Sequence, residues 1–226
     1  SVESPCLKIA SFDIVNLPLL SKVAKTGKPM IISTGMSNLS EVEDALSEVI
    51  KYNNNVILLH CTSSYPCPPE NMNLKAMDTL RDAFKVPVGL SDHSVGHTVS
   101  LSAAARGANI IEKHFTLNRN MEGPDHSVSL EPEELVFFIN QLNVVHQSLG
   151  DGIKQPSQNE FNTMLRFRKT IYSATSISKG QSIQKEHLCI KGPAFGIYPK
   201  FMEIIIGQTA KYDIEEDTPI TWNLFQ

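Results

Sequence analysis

Val86-Pro-Val-Gly-Leu-Ser-Asp-His93 and Ile110-Ile-Glu-Lys-His-Phe115 bracket a run of small residues, and Gly123-Pro-Asp125 follows soon after. Each bracket is a short, nearly continuous apolar run that closes on a histidine. Two such runs on either side of a helix have the form of a parallel βαβ unit, whose strands are buried on both faces. Parallel strands point the same way, so the unit brings His93 and His114 to one edge of a sheet.

Three more runs of this kind lie upstream: Cys6-Leu-Lys-Ile-Ala-Ser11, Pro29-Met-Ile-Ile-Ser-Thr-Gly35 and Val56-Ile-Leu-Leu-His-Cys-Thr62. Helices are predicted between them. One covers Pro18 to Lys25, and one starts at a Ser-x-x-Glu capping box, Ser40 to Glu43, ahead of Leu46, Val49 and Ile50. Another carries Leu74, Met77, Leu80 and Phe84 after a polar, Pro-rich loop. Downstream, Pro132 opens a long amphipathic helix with Leu135, Phe138, Ile139, Leu142, Val145 and Leu149, stopped by Gly150.

Strand alternating with helix indicates a parallel α/β architecture. Polar and titratable residues gather at the C-terminal ends of the strands (Ser11, Ser33, Thr34, His60, Thr62, Ser91, His93, His114), the face where such sheets bind ligands. No strand opens into a Gly-x-Gly-x-x-Gly turn and the units repeat with even size. The expected fold is therefore the C-terminal part, about five βα units, of a TIM (β/α)8 barrel. A complete barrel takes about 250 residues, and five strands cannot close one. The polypeptide by itself is therefore not expected to fold as a closed monomer.

Composition changes after Gly150. The partial barrel is assigned to residues 1–150, a polar linker to 151–165 and a small, mostly β domain to 166–226. In that last segment Thr170 to Ala174, Ser182-Ile183 and Leu188 to Ile190 are β-like, and Ser176-Ile-Ser-Lys-Gly-Gln-Ser-Ile183 echoes Asp213-Ile-Glu-Glu-Asp-Thr-Pro-Ile220. The chain has 226 residues, 41% hydrophobic, with formal net charge -4. It has no apolar run of membrane-span length and no secretory leader pattern, so a cytoplasmic location is expected. A mild acidic excess without a basic tract gives no ground for nucleic acid or membrane partners. Cys6, Cys61, Cys67 and Cys189 have no paired spacing and read as reduced thiols.

Lys8-Ile-Ala-Ser, Lys28-Pro-Met-Ile-Ile-Ser-Thr-Gly-Met36, Leu59-His-Cys-Thr-Ser, Tyr65-Pro, Gly89-Leu-Ser-Asp-His-Ser, Glu112-Lys-His-Phe-Thr-Leu and Met121-Glu-Gly-Pro-Asp-His-Ser-Val-Ser-Leu-Glu-Pro132 stand in this order. Together they resemble the N-acetylneuraminate (sialic acid) synthases and the related legionaminate and pseudaminate synthases, over essentially the whole chain. The resemblance implies a barrel followed by an antifreeze-like (SAF) domain, with the family's first barrel strands preceding Lys8. It implies a transferase that condenses phosphoenolpyruvate with an open-chain N-acetylhexosamine, N-acetylmannosamine or a relative of it. The methylene carbon attacks the aldehyde, water adds to the oxocarbenium carbon, and phosphate leaves with C–O cleavage. The runner-up is another metal-dependent, phosphoenolpyruvate-using aldol-type barrel synthase, which would explain the histidines but not the C-terminal domain. A further reading is a non-catalytic fragment.

His93 and His114 match the family's metal ligands, and imidazoles at strand ends with open positions suit Mn²⁺, with Mg²⁺ or Co²⁺ as alternatives. Lys8, Ser11, Ser33, Ser63 and Ser91 match phosphoenolpyruvate-holding positions; Ser63 stands where several relatives carry asparagine. A lysine in an apolar strand calls for an anionic partner. Asp13, Tyr65 and Asp125 match the sugar side, and the resemblance implies catalytic roles for Asp13, His93, His114 and Asp125. Asp92 is a candidate to orient an imidazole. Glu112 and Lys113, alternating around His114, read as structural, and His60 as either core-facing or supporting the site. The resemblance also implies a domain-swapped homodimer in which the SAF domain places an arginine over the partner's site. Here that segment is Lys191-Gly192-Pro193, with glycine at the matching position.

Overall fold

Five strands line up in chain order in one parallel sheet: β1 (Leu7–Ile9), β2 (Met30–Ser33), β3 (Val56–Cys61), β4 (Val88–Asp92) and β5 (Ile111–Lys113). This arrangement comes from a computed structural model that describes residues 3–226. The connections carry α1 (Leu17–Ala24), α2 (Leu39–Ile50), α3 (Ala76–Phe84) and α4 (Thr98–Ala105), and α5 (Pro132–Leu149) follows β5. A doubly wound sheet reverses its strand order at a switch point; an order that simply follows the chain is that of a barrel wall. The sheet is the expected half-barrel.

Side chains alternate between its two faces. One face presents Ile9, Ile32, Leu58, Val88 and Leu90 to Leu20, Ala24, Val42, Ala45, Val49, Met77, Leu80 and Ala103 of the helices, forming the core. The register pairs Lys8 with Ile31, Ser33 with Leu59, Cys61 with Ser91, and Ser91 with Glu112. These residues belong to the other face. Gly89 is needed there because a Cβ would lie 2.2 Å from the Ile110 carbonyl oxygen and 2.8 Å from Leu59 Cδ2.

Helix α2 starts earlier than its sequence signal. Asn38 accepts from the Glu41 amide at 3.1 Å while Glu41 accepts from the Asn38 amide at 2.8 Å, so the capping box is Asn38 to Glu41 rather than Ser40 to Glu43. Asparagine caps as well as serine, and the earlier start adds backbone hydrogen bonds to the helix.

The last rung between β4 and β5 sets Asp92 opposite Lys113 on the helix side, where their side chains are 0% and 5% exposed. Lys113 Nζ donates to Asp92 Oδ2 at 3.0 Å and to the Ser94 carbonyl at 2.7 Å. The Ser94 amide and the Ser100 hydroxyl also donate to Asp92. Burial alone would raise the Asp92 pKa, but these hydrogen bonds and the Lys113 charge outweigh it and hold the carboxyl below its ordinary value. Asp92 makes no direct hydrogen bond to the His93 ring, because consecutive strand residues face opposite sides.

The chain divides at Gly152 and Ile153 into two compact units. Part of the expected linker is structured: a 3-10 turn at Gln158–Glu160 leads into α6 (Phe161–Phe167), and the Ala194 amide donates to the Leu165 carbonyl at 2.8 Å. In the second unit β6 (Thr170–Ser173) and β7 (Leu188–Lys191) pair antiparallel, and a four-residue α7 (Met202–Ile205) follows. The internal echo is built into this core. Ile177 and Ile214, the second residues of the two segments, exchange amide-to-carbonyl hydrogen bonds of 2.8 Å each. Ile183 and Ile220, the last residues, are both fully buried. Gly180 and Asp217, the fifth residues, both adopt left-handed backbone (φ 81° and 67°). Among the described residues no helix is long and apolar enough to cross a membrane.

Gly89→Ala is expected to lower unfolding stability by about 1–3 kcal/mol, read as a fall in the urea midpoint at unchanged m-value. Asp92→Asn tests the buried carboxylate. A depressed native pKa stabilises the protein above the ordinary aspartate range and stops doing so as pH falls through the native value. The difference in urea midpoint between wild type and Asp92→Asn is therefore expected to be full at pH 7 and to shrink on acidification; a pH-independent difference would contradict this account.

Candidate active site

The inner face of the half-barrel closes around a cavity of about 190 Å³ at the C-terminal ends of the strands. Lys8 enters from β1, Ser11 from the turn after it, Ser33 from β2, Ser63 and Tyr65 from the loop after β3, Ser91 and His93 from β4 and its end, and His114 from the end of β5. Seven of them hold strand positions of one parity or the loop ends just beyond, and pairing of five strands brings them together. Every expected phosphoenolpyruvate ligand and both expected metal ligands thus line a single space.

Besides Ala10 and Phe12, two titratable residues of the cavity escaped sequence reasoning. Glu112, read as structural, faces inward two positions before His114. It accepts a hydrogen bond from Ser91 Oγ at 2.7 Å and pairs with Lys8 Nζ at 3.1 Å. Cys61 lies two positions before Ser63, with its sulfur 3.8 Å from Ser63 Oγ and 3.9 Å from His93 Nδ1. Parity was the available signal: once His114 and Ser63 are placed inside, residues two earlier on the same strand share their face. Lys113 is structural as read, on the outer side.

His93 Nδ1 lies 2.9 Å from the Thr62 carbonyl, an arrangement in which Nδ1 donates and Nε2 keeps its lone pair. Burial opposes ionisation of both His93 and Cys61. Their mutual contact outweighs it, helped by the Thr62 carbonyl at His93 and by Ser11 and Ser63 at Cys61, so the imidazole sits above and the thiol below its ordinary value. The His93 and His114 ring centroids are 5.4 Å apart. Tyr65 packs on both, at 4.0 Å from His93 and 5.8 Å from His114. Burial, then the nearby Cys61, Asp125 and Glu112, pushes its phenol pKa up. Ser33 Oγ, which lines the cavity, and Ser94 Oγ, which does not, are buried without a hydrogen-bond partner.

Asp125 lies beside the cavity, 3.9 Å from His114 Nδ1, with a side chain 56% exposed. Asp13 is not brought in. It shares a 3-10 turn with Ser11, and at three residues per turn the Ser11 side chain points into the cavity while that of Asp13 does not. His60 faces the helix side, where Nε2 lies 2.7 Å from the Met72 carbonyl and burial lowers its pKa, so it does not support the site. In the second unit Lys191 is ion-paired with Asp217.

A divalent cation fits the two imidazoles chemically. Each has one ring nitrogen turned to an oxygen, as ligating histidines commonly do, and the other nitrogen left over. Among the described residues no three His, Cys, Asp or Glu side chains form a metal-binding group. The protein would thus supply two nitrogens and leave the remaining positions to oxygen donors from water and substrate, a mixture suited to Mn²⁺ and its neighbours.

Comparison with known proteins agrees with the fold. An N,N'-diacetyllegionaminic acid synthase of Campylobacter jejuni is 46% identical over 93% of this chain, and one of Legionella pneumophila is 40% identical over 96% of it. The chain spans 64% and 62% of their lengths. The crystal structure of an N-acetylneuraminic acid (sialic acid) synthetase from Leptospira borgpetersenii serovar Hardjo-bovis, in complex with citrate, aligns with TM-score 0.68 at 41% identity. That alignment covers 72% of this chain and 57% of that one. Residues 168–226 match the SAF domain. Residues 1–154 match the NeuB family model, and the chain belongs to the NeuB family.

Proposed function

We propose that this chain carries the catalytic face of a nonulosonic acid synthase, which joins phosphoenolpyruvate to an open-chain N-acetylhexosamine. The observation that carries the reading is the convergence of an ammonium, four serine hydroxyls and two imidazoles on one cavity, with the Ser33 hydroxyl left unpartnered. At about 190 Å³ the space suits a small metabolite rather than a drug-sized ligand.

Lys8 and the hydroxyls of Ser11, Ser33, Ser63 and Ser91 present donors to the phosphate and carboxylate of phosphoenolpyruvate. Glu112 now occupies Lys8 and Ser91, and ligand oxygens would take its place there. The cation, when bound at His93 and His114, supplies Lewis acidity toward the sugar aldehyde oxygen. The C3 methylene then attacks the aldehyde carbon, whose oxygen takes up a proton. Water adds to C2, and C–O cleavage releases inorganic phosphate. Tyr65 and Asp125 flank the imidazoles, and the exposed Asp125 carboxylate would accept hydrogen bonds from sugar hydroxyls.

The names of the relatives support a sialic or legionaminic type of product. Four free thiols support a reducing compartment, the cytoplasm, where phosphoenolpyruvate is made. The proposed assembly is a domain-swapped homodimer, with one chain's second unit over the other's barrel; the SAF domain match identifies that unit. Glycine at position 192 implies that sugar contact from this domain does not use an arginine there.

The deciding experiment is phosphate release from phosphoenolpyruvate with Mn²⁺ and a panel of N-acetylated hexosamines. It would be run on the chain alone and on the chain supplied with the segment by which its relatives are longer. Sugar-dependent release is expected, with His93→Ala slowing it by about 10³-fold or more. Release without sugar, or full activity in His93→Ala, would remove the synthase reading. Lys8→Met is expected to raise the KM for phosphoenolpyruvate about tenfold or more, the effect of one charge-assisted hydrogen bond, while the KM for the sugar stays within a few-fold. Equal effects on both substrates would contradict the assignment of Lys8.

A further inference from the structure

The buried pair at the ends of β4 and β5 takes no part in the chemistry above. Asp92 and Lys113 lie on the helix side of the sheet and neither lines the cavity. Their positions in the chain give them significance. Asp92 immediately precedes His93, and Lys113 immediately precedes His114. Lys113 Nζ reaches Asp92 Oδ2 at 3.0 Å and the Ser94 carbonyl at 2.7 Å. One ammonium therefore grips both chain neighbours of His93 from the strand that ends in His114. Asp92 is tied down in turn by the Ser94 amide at 2.8 Å and by the Ser100 hydroxyl of α4. Strand β5 has three residues and, among the described strands, pairs only with β4. Past this rung its backbone turns to Leu130, whose amide donates to the His114 carbonyl at 3.0 Å, so the ion pair is a side-chain link between the two histidine-bearing strand ends.

Stability alone is a weak reason for such a pair. Removing two charges from water costs several kcal/mol per ion, and well-packed apolar residues of the same volume often do as well or better. An ion pair adds what apolar contact does not, a fixed distance and direction between two strand ends. We propose that the Asp92–Lys113 ion pair is the positioning device of the two-imidazole centre, holding His93 and His114 in register as a pair of ligands. The proposal rests on the metal-dependent reading given above. It makes Asp92 and Lys113 positioning residues: neither touches a substrate, and both act through the histidines that follow them.

The test compares wild type with Lys113→Met and Asp92→Asn, by two readouts that need no turnover. In metal-free protein, imidazole ¹⁵N–¹H spectra report whether His93 is held in the single tautomer with the proton on Nδ1. Titration with Mn²⁺ alone, followed by electron paramagnetic resonance, reports affinity. Both variants are expected to keep the circular dichroism of the wild type and to melt cooperatively at a lowered midpoint. They should lose the single-tautomer signal and bind Mn²⁺ about 10–100-fold more weakly, the usual cost of removing support behind a ligating histidine. Folded variants that retain the tautomer and bind within about twofold of wild type would overturn the proposal. Should Lys113→Met not fold, Asp92→Asn, which keeps the side-chain shape, decides in its place. Failure of both to fold would also overturn it, because the pair would then serve the fold rather than the histidines. A wild-type chain that binds no Mn²⁺ would count against the proposed function, while the tautomer comparison still decides whether the pair positions His93.

Discussion

A β-strand shows alternate residues to opposite sides, and in a parallel sheet buried on its helix face this rule leaves no freedom over which residues meet. Ile9 goes to the helices only if Lys8 goes inside, and the same holds for Ile32 with Ser33, Leu90 with Ser91, and Ile111 with Glu112. A slip of one residue on β1 or β5 would carry Lys8 or Glu112 to the helix side, and on β2 or β4 it would carry Ser33 or Ser91 there, turning an isoleucine or leucine into the cavity. The hydrophobic layer and the polar site are thus two consequences of one register, and Gly89 makes room for it where β4 passes beside β5 and Leu59.

Strand β5 shows the same rule acting on charge. Glu112 and Lys113 are neighbours in the chain and carry opposite ion pairs on opposite faces. The Glu112–Lys8 pair is partly open to solvent, at 41% and 34% side-chain exposure, so water screens it and ligand oxygens can replace it at small cost. The Lys113–Asp92 pair is sealed from water, and either partner left alone would be an uncompensated buried charge. The exchangeable pair faces the cavity proposed to take phosphoenolpyruvate, and the permanent one stands behind the histidines.

The second unit reaches its core by repetition. Two eight-residue segments place an isoleucine, a left-handed turn residue and a final isoleucine at matching positions, and they join through the Ile177–Ile214 hydrogen bonds. Asp217 takes the left-handed conformation that Gly180 takes in the other copy, and its carboxylate pairs with Lys191. A side chain that tolerates this backbone and also carries a charge gives the repeat its asymmetry.

Much was legible in the sequence because local rules sufficed. Short segments rich in apolar residues marked all five strands, the spacing from Leu135 to Leu149 marked α5, and the motifs around Lys8, Ser91, His93 and His114 marked the cavity. The sequence did not distinguish Asn38 from Ser40 as the cap of α2, since both side chains can fill that role. It also left open whether Asp13 joined Ser11, because the answer turns on the pitch of one 3-10 turn. The roles of Glu112, Asp92 and Lys113 were decided only by tertiary structure. Which residue stands opposite Asp92, and whether Glu112 meets Lys8 from the far end of a five-stranded sheet, depends on register between strands more than twenty residues apart. By itself the sequence determined the type of the barrel elements, β1 to β5 and α1 to α5, and which residues stand at the histidine-bearing edge. Tertiary pairing determined which charges face each other, because ion pairs between strands depend on distances that no local pattern encodes.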